Sequence, residues 1–339
     1  MIPDDVWRAI SLLNGQTWPP QTDADADRFI AATAGESLLP LLYQAESLPP
    51  AVAAALPRHR AMLRLYQARA AKMRSVARQL CEWLAGVPFI VMKGADYADR
   101  LYGDPALRPM LDVDLLVPKE RMHDTDALLV ARGFEPEFPG GAVTRLESYN
   151  ERSYVGHEIG VDVHHSFVQR VRHRIDYDAV WRECEAYTLD GVPAARLQPM
   201  HAFLYHALSM AKDEFTSPLV RYVDFYRFIA KWPSLPLDAI PLARQWRVRR
   251  ALYGALRQTS RLFPDLDFSE PMARLLPRST RSFMDRAILP DLFSPAPKRS
   301  RGRQLWVKVN LLDTVTRRVS FGAYHVYAVI AGRLARGRT

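Results

Sequence analysis

Leu107-Arg108-Pro109-Met110-Leu111-Asp112-Val113-Asp114-Leu115-Leu116-Val117 is the stretch whose reading decides the fold. Read as a strand, it alternates faces with a period of two. Asp112 and Asp114 then project together, and Leu111, Val113 and Leu115 project the other way. Two carboxylates about 6 to 7 Å apart along one edge, backed by an apolar face, repel each other unless something positive sits between them. A hard divalent cation meets that need. Magnesium prefers one or two carboxylates, with phosphate oxygens and water, to a closed protein cage. An isolated Asp-x-Asp on a solvated edge strand needs no such partner, so the neighbouring segments decide the matter.

Upstream, Val87-Pro88-Phe89-Ile90-Val91-Met92 reads as a buried strand that ends in Lys93-Gly94, with a helical pattern from Ala95 to Tyr102. A glycine where a strand feeds a helix lets a phosphate approach the free backbone N–H groups of the first turn. Downstream, Ile159-Gly160-Val161-Asp162-Val163-His164-His165 alternates again, with Asp162 and His164 on one face. A third carboxylate on a third strand suits two-metal phosphoryl chemistry. There, one metal orients the triphosphate and the other activates the attacking hydroxyl.

Together, Lys93-Gly94, Leu101-Tyr102-Gly103-Asp104, Leu107-Arg108-Pro109-Met110, Asp112-Val113-Asp114-Leu115-Leu116-Val117, Gly133-Phe134 and Val161-Asp162-Val163-His164 resemble the uncharacterised nucleotidyltransferase family of the DNA polymerase beta-like superfamily. The specific motifs run from Val87 to about His165. A weaker likeness continues from His201 to Asp224, where Arg221-Tyr222-Val223-Asp224 looks like a helical Arg-x-x-Asp. The resemblance implies an α+β fold, with a small mixed-sheet nucleotidyltransferase core flanked by N-terminal and C-terminal helical regions. It implies that Asp112 and Asp114 hold two Mg2+ ions (Mn2+ being the alternative), that Asp162 holds the catalytic one, and that the donor is an NTP, with ATP expected. Lys93-Gly94-Ala95 stands where the wider superfamily carries Gly-Ser, so the hydroxyl that would bond a phosphate is missing.

At 339 residues the chain has room for two or three structural units. Cys81 and Cys184 lie in unrelated contexts without metal-ligand spacing, which fits a reducing cytosol rather than a disulfide framework. The acidic start, Met1-Ile2-Pro3-Asp4-Asp5, lacks a secretory layout, and no apolar run reaches transmembrane length. A soluble, cytoplasmic protein is expected. The formal charge is +9, but the last 43 residues hold ten Lys or Arg against one acid, leaving 36 of each sign in the first 296. A basic end of this kind implies a local acidic partner: RNA, a membrane surface or an acidic protein.

Along the chain, 1–84 reads as a helical packing region, broken by Pro19-Pro20 and Pro49-Pro50. Residues 85–167 read as the core, with a helix over Lys119–Arg132 stopped by Gly133, and one or two strands between Ala142 and Glu158. Residues 168–293 read as mostly helical. Their exceptions are a short hairpin turning at Asp190-Gly191, a break at Ser217-Pro218 and a connector at Trp232–Pro236 before a single helix over Leu242–Leu262. Residues 294–339 read as a basic linker, Ser294–Arg303, and a helical tail in which Trp306–Arg336 sets an apolar stripe among Arg317, Arg318, Arg333 and Arg336.

Lys93, at a strand end beside Gly94, can reach donor phosphates as a point charge. Arg108 can clamp phosphate, steady Asp112 or form a structural ion pair. His164 shares a face with Asp162 and can orient it or touch the acceptor; His165 points away into packing. His201 and His206, five apart on a helix, do not share a metal, while Arg221 and Asp224, three apart, form a salt bridge with each other. The expected activity is metal-dependent transfer of an NMP group from an NTP to an acceptor oxygen on a small molecule, peptide or protein, with release of pyrophosphate. The alternatives are a non-catalytic nucleotide-binding module docking on RNA, membrane or protein, and a toxin-like enzyme modifying tRNA or protein.

Overall fold

A computed structural model describes residues 4–13, 16–137, 150–293 and 300–323. Helices α1 (Asp4–Leu13), α2 (Asp23–Gly35), α3 (Leu39–Leu42), α4 (Pro50–Ala55) and α5 (Arg60–Trp83) come first, with prolines opening α4 and interrupting the chain before α2 as the sequence leads one to expect. Then follow β1 (Ile90–Met92), α6 (Lys93–Tyr97, continued by a π turn over Ala98–Tyr102), β2 (Asp112–Leu116), α7 (Met122–Ala131), β3 (Glu135–Pro136), β4 (Glu151–Gly156) and β5 (Ile159–His164). After them come α8 (Tyr177–Arg182), the hairpin β6 (Glu185–Leu189) and β7 (Val192–Arg196), then α9 (Pro199–Lys212), α10 (Val220–Lys231), α11 (Leu235–Trp246), α12 (Arg249–Leu262), α13 (Ser269–Leu275), α14 (Arg278–Phe283) and α15 (Arg301–Asn310). The fold is α+β, with one mixed sheet and helices on both sides.

The sheet is seven-stranded, in the order β3-β4-β5-β2-β1-β7-β6. Strand β2 lies near its centre, parallel to β5 and antiparallel to β1. The expected hairpin at Asp190-Gly191 is present, both turn residues having positive φ. Its β7 pairs in parallel with β1 through Val91 and Arg196, so the sheet extends past the core expected over 85–167. Alternation sorts the two faces. Val91, Val113, Leu115, Tyr154, Val161 and Val163 pack with Met73, Val76, Leu80 of α5 and Leu129 of α7. Ile90, Met92 and Leu116 face a second core, made by the N-terminal helices and the C-terminal ones together.

Helix α9 is the axis of that second core. Every residue from His201 to Ala211 is buried, as suits a helix that is apolar nearly all round. The helix expected over Leu242–Leu262 is two, because Arg247 takes a left-handed conformation that ends α11, and Val248 N–H closes back on Ala243 O. The connector at Trp232 is shorter than expected, since α11 already starts at Leu235 with Pro236 in its first turn. The linker expected over Ser294–Arg303 gives way to helix by Arg301. The tail is not free along its described length: Val307, Leu311, Leu312 and Phe321 are buried. Arg333 and Arg336, and the expected strand positions 142–149, lie outside the described residues. No helix among the described residues is long and apolar enough to cross a membrane.

The packing of α12 on the rest leaves one position without room. A Cβ on Gly254 would overlap the fully buried Phe215 ring at Cζ, Cε2 and Cε1. Gly254→Ala is therefore expected to lower stability by about 2 kcal/mol, read as a fall in thermal midpoint by circular dichroism. An unchanged midpoint would contradict this packing.

Candidate active site

The centre of the site follows from strand register. In the parallel pair, Asp112 stands opposite Gly160, Asp114 opposite Asp162 and Leu116 opposite His164. Neighbouring strands lie about 4.8 Å apart, so Asp114 and Asp162 share one face almost side by side. In the antiparallel pair of β4 and β5, Glu151 stands opposite His164 and Ser153 opposite Asp162. A β-carbon on Gly160 would sit 3.7 Å from that of Asp112, so the glycine leaves room beside this carboxylate. One face thus gathers Asp112, Asp114, Glu151, Asp162 and His164.

Countercharge arrives from two directions. Lys93 directly follows β1, whose Met92 pairs with Asp114. Its φ of +44° is left-handed, which for a lysine costs about 1 kcal/mol, and its ammonium lies 2.5 Å from Asp114 Oδ1. His164 Nε2 lies 3.0 Å from the same oxygen. Its Nδ1 is 3.1 Å from Glu151 Oε2, within ion-pair reach but off the line of a hydrogen bond. Glu151 is held in turn by Lys212 of α9, at 2.9 Å. The result is an alternating chain, Lys93–Asp114–His164–Glu151–Lys212.

The charges respond accordingly. Burial acts to raise the pKa of Asp114, which is 2% exposed, but the Lys93 ammonium and the His164 contact outweigh it and hold the carboxyl well below the usual range. Glu151 is lowered in the same way, burial being overcome by His164 and Lys212. Burial opposes protonation of His164, yet the two carboxylates flanking it raise its pKa. Asp112 has no such support. Burial, with the carboxylates of Asp114 and Asp162 adding to it, pushes Asp112 up to about 6 against Lys93.

A cleft of roughly 640 Å³ opens over Lys93, Gly94, Asp112 and Asp114, walled by Arg108, His206 and Arg221. Its rim at Ser37 and Val220 is tied together: Leu219 N–H donates to Glu36 Oε2 at 2.7 Å, which joins the end of α2 to the start of α10. Gly94 has its own steric reason, because a Cβ there would meet Met110 Cγ at 2.7 Å. Arg108, which can clamp phosphate or steady Asp112 on the sequence alone, faces a different partner. Its Nη2 lies 2.7 Å from Asp224 Oδ2 and its Nη1 donates to Pro109 O. Asp224, fully buried, also accepts from Tyr102 at 2.7 Å. The expected Arg221–Asp224 bridge is replaced: Arg221 pairs with Asp213, which caps the end of α9. His201 and His206 are apart in function too, His206 Nε2 lying 2.7 Å from Arg221 O.

The structure brings Asp114 and Asp162 together with His164, their ligand atoms all within 4.8 Å of one another. Asp112 is the next same-face residue along β2 and lies outside that tight group. Sequence reasoning missed Glu151, Lys212 and Tyr205, whose ring centroid lies 5.5 Å from Lys93 Nζ. Glu151 could be found only by counting back from the β4–β5 turn. That turn is His157-Glu158, with φ of 54° and 62°, and neither residue is one that such a turn favours.

Residues 22–264 match the family described as uncharacterised nucleotidyltransferase. The chain belongs to that family. No curated protein matches the sequence. Among solved structures, the chain is similar to an antigenic nucleotidyltransferase-like protein from Paracoccidioides brasiliensis, at 20% identity over 60% of this chain and 92% of that one, with a TM-score of 0.38. It is also similar to the antibiotic-resistance factor ANT(2'')-Ia, at 14% identity over 56% of this chain and 94% of the other, with a TM-score of 0.36. Family membership supports a nucleotidyl transfer function for this nucleotidyltransferase.

The Arg108–Asp224 pair at the wall of the cleft yields a stability prediction. Removing one partner of a buried pair strands the other charge, so Asp224→Asn is expected to cost about 3 kcal/mol near neutrality. Burial acts against the charged form of Asp224, but Arg108 lowers its folded pKa. Its contribution is therefore present above the unfolded value of about 3.9 and is lost as pH falls through the lower folded value. Urea midpoints of the two proteins should differ from pH 5 to 8, and the gap should close only in strong acid. A gap that widens on acidification would refute the assignment.

Proposed function

We propose that this nucleotidyltransferase moves a nucleoside monophosphate from an NTP, with ATP as the donor of choice, to an acceptor oxygen on a small molecule, peptide or protein, releasing pyrophosphate. The observation that carries this reading is the register of Asp114 opposite Asp162, with Asp112 on the same face and with Asp112 and Asp114 lining the cleft.

The residues fit a divalent metal. Asp114, Asp162 and His164 present ligand atoms within 4.8 Å of one another. Asp112 has its pKa pushed up to about 6 by burial and by the carboxylates of Asp114 and Asp162, against Lys93 and Arg108, and a bound cation would lower it. Carboxylate oxygens at Asp112, Asp114 and Asp162 suit Mg2+, with Mn2+ also accommodated where an imidazole is near. When bound, such ions supply Lewis acidity at the phosphoryl group and lower the pKa of the attacking hydroxyl.

The chain's own groups do the rest. Asp162, half-buried like Asp112, is the carboxylate that takes the acceptor's proton. Lys93 leaves Asp114 Oδ1 and turns its ammonium to the donor's phosphates, as a flexible point charge can. Gly94, whose side Met110 closes, keeps the first turn of α6 close to the cleft. His164, braced by Glu151, holds Asp114 in place. Arg108, in the wall of the cleft, is held by Asp224 and fixes the approach to β2.

A second reading, a nucleotide-binding module without turnover, draws on the same lysine, because a site neutralised from within is stable without a metal. Two experiments separate them. Asp112→Asn or Asp162→Asn is expected to abolish transfer of label from α-labelled ATP to an acceptor in cell extract, with the circular dichroism spectrum unchanged. Undiminished labelling in either variant overturns the catalytic reading. Magnesium-dependent ATP binding by calorimetry, without consumption in any extract, supports the module.

A further inference from the structure

We propose that a groove lined by Arg170, Arg174, Arg244, Arg247 and Arg317 is a docking site for the phosphodiester backbone of a nucleic-acid strand. The inference stands apart from the proposed transfer chemistry and rests on a different part of the surface. Two depressions, of about 850 and 480 Å³, share Arg174 and Ile175 and so form one recess. The first is lined by Arg174, Arg244 and Arg247, the second by Arg170, Arg174, His173, Tyr177 and Arg317.

What marks this recess is its unpaired charge. Several arginines elsewhere find carboxylates, as Arg74 does with Asp99 and Asp190, Arg108 with Asp224, Arg221 with Asp213 and Arg249 with Asp313. Others, such as Arg227, Arg250 and Arg303, hold carbonyls one at a time; here five gather. None of the five groove arginines has a carboxylate partner among the described residues. Their fixed contacts are to neutral groups. Arg317 donates to the carbonyls of Arg170 and Val171, Arg244 to that of Arg274, and Arg170 lies over the Tyr177 ring. The acid within the recess, Asp176, is engaged in capping α8 through Ala179 N–H. Behind the wall, Arg172 is 5% exposed, stacks on Phe321 and leaves its Nε without a partner. Like charges held together without countercharge destabilise the free protein, and a polyanion relieves that cost by giving up its own counterions.

The shape favours a strand over a lipid surface. Guanidinium forks grip phosphate oxygens in pairs, and a recessed basic track with an aromatic in its wall is how single strands are held. Val315 and Val319, exposed on the helix over 315–323, are the feature a lipid surface would use, so vesicles are the necessary rival.

The test is fluorescence anisotropy with the full chain and labelled single strands of about 20 nucleotides, longer than common strand site sizes, as RNA and as DNA. Binding is expected to weaken with salt, with a log–log slope near −0.7 for each phosphate engaged. Arg170→Glu combined with Arg174→Glu should weaken it at least about tenfold and flatten the slope by roughly one to one and a half. Arg64→Glu with Arg69→Glu, an equal change of charge on exposed positions of α5, should leave it within about twofold. Thermal midpoints verify that both variants fold. RNA bound more tightly than DNA, or the reverse, names the strand. Equal losses in the two double variants, or binding to phosphatidylserine vesicles but to neither strand, overturns the proposal.

Discussion

Parallel pairing of β2 with β5 in a single register is the constraint on which the rest depends. It sets Asp114 beside Asp162 on one sheet face, and the pleat forbids either from turning away. Like charge fixed at that spacing, with Asp114 buried, must be met by opposite charge or by protonation. At Asp114 the protein answers with opposite charge. Lys93 and His164 converge on one oxygen of Asp114, and Glu151 with Lys212 extends the alternation of charge to α9. At Asp112 burial and the neighbouring carboxylates outweigh Lys93, and its pKa is raised to about 6.

The same face explains why the helical layer is arranged as it is. Lys212 ends α9, which is buried from His201 to Ala211, so a charge needed at the sheet is delivered by a helix held on all sides. At the wall of the cleft, Asp224 of α10 gathers Arg108 and Tyr102, and the chain entering β2 is thereby tied to the C-terminal helices. A buried ion pair of this sort adds little net stability but punishes any alternative placement of its partners. Position, rather than stability, is what this pair supplies.

Much of this arrangement is legible in the sequence, and the illegible parts have identifiable causes. Asp112-Val113-Asp114 and Val161-Asp162-Val163-His164 declare a shared face because alternation is a local rule, and Asp190-Gly191 declares its hairpin because glycine there meets a positive φ. Where that hairpin docks is not local, and its parallel contact with β1 through Arg196 carries no pattern of its own. The His157-Glu158 turn hides because neither residue advertises a left-handed conformation, and Glu151 is hidden with it. Arg247 splits a long apolar-periodic run for the same reason. The helix spacing of Arg221 and Asp224 suggests a pair, but each finds a partner outside its helix, Asp224 one that lies 116 residues away. A balance of 36 bases and 36 acids over the first 296 residues likewise says nothing of their spacing, and Arg170, Arg174, Arg244 and Arg247 gather while the acids pair elsewhere.

Lys93 brings these threads to one point. A lysine in left-handed conformation is held there against its own preference, and the compensation is an ammonium placed on a carboxylate that would otherwise be buried without countercharge. Arg108 could not be exchanged for it, since a guanidinium committed to Asp224 is fixed in direction. An ammonium on a four-carbon stem keeps one strong contact while remaining free to rotate about it. Asp114 thus carries its countercharge on one oxygen, whereas Asp112 keeps a raised pKa in spite of Lys93, so the two carboxylates of one strand meet the cleft in unlike electrostatic surroundings.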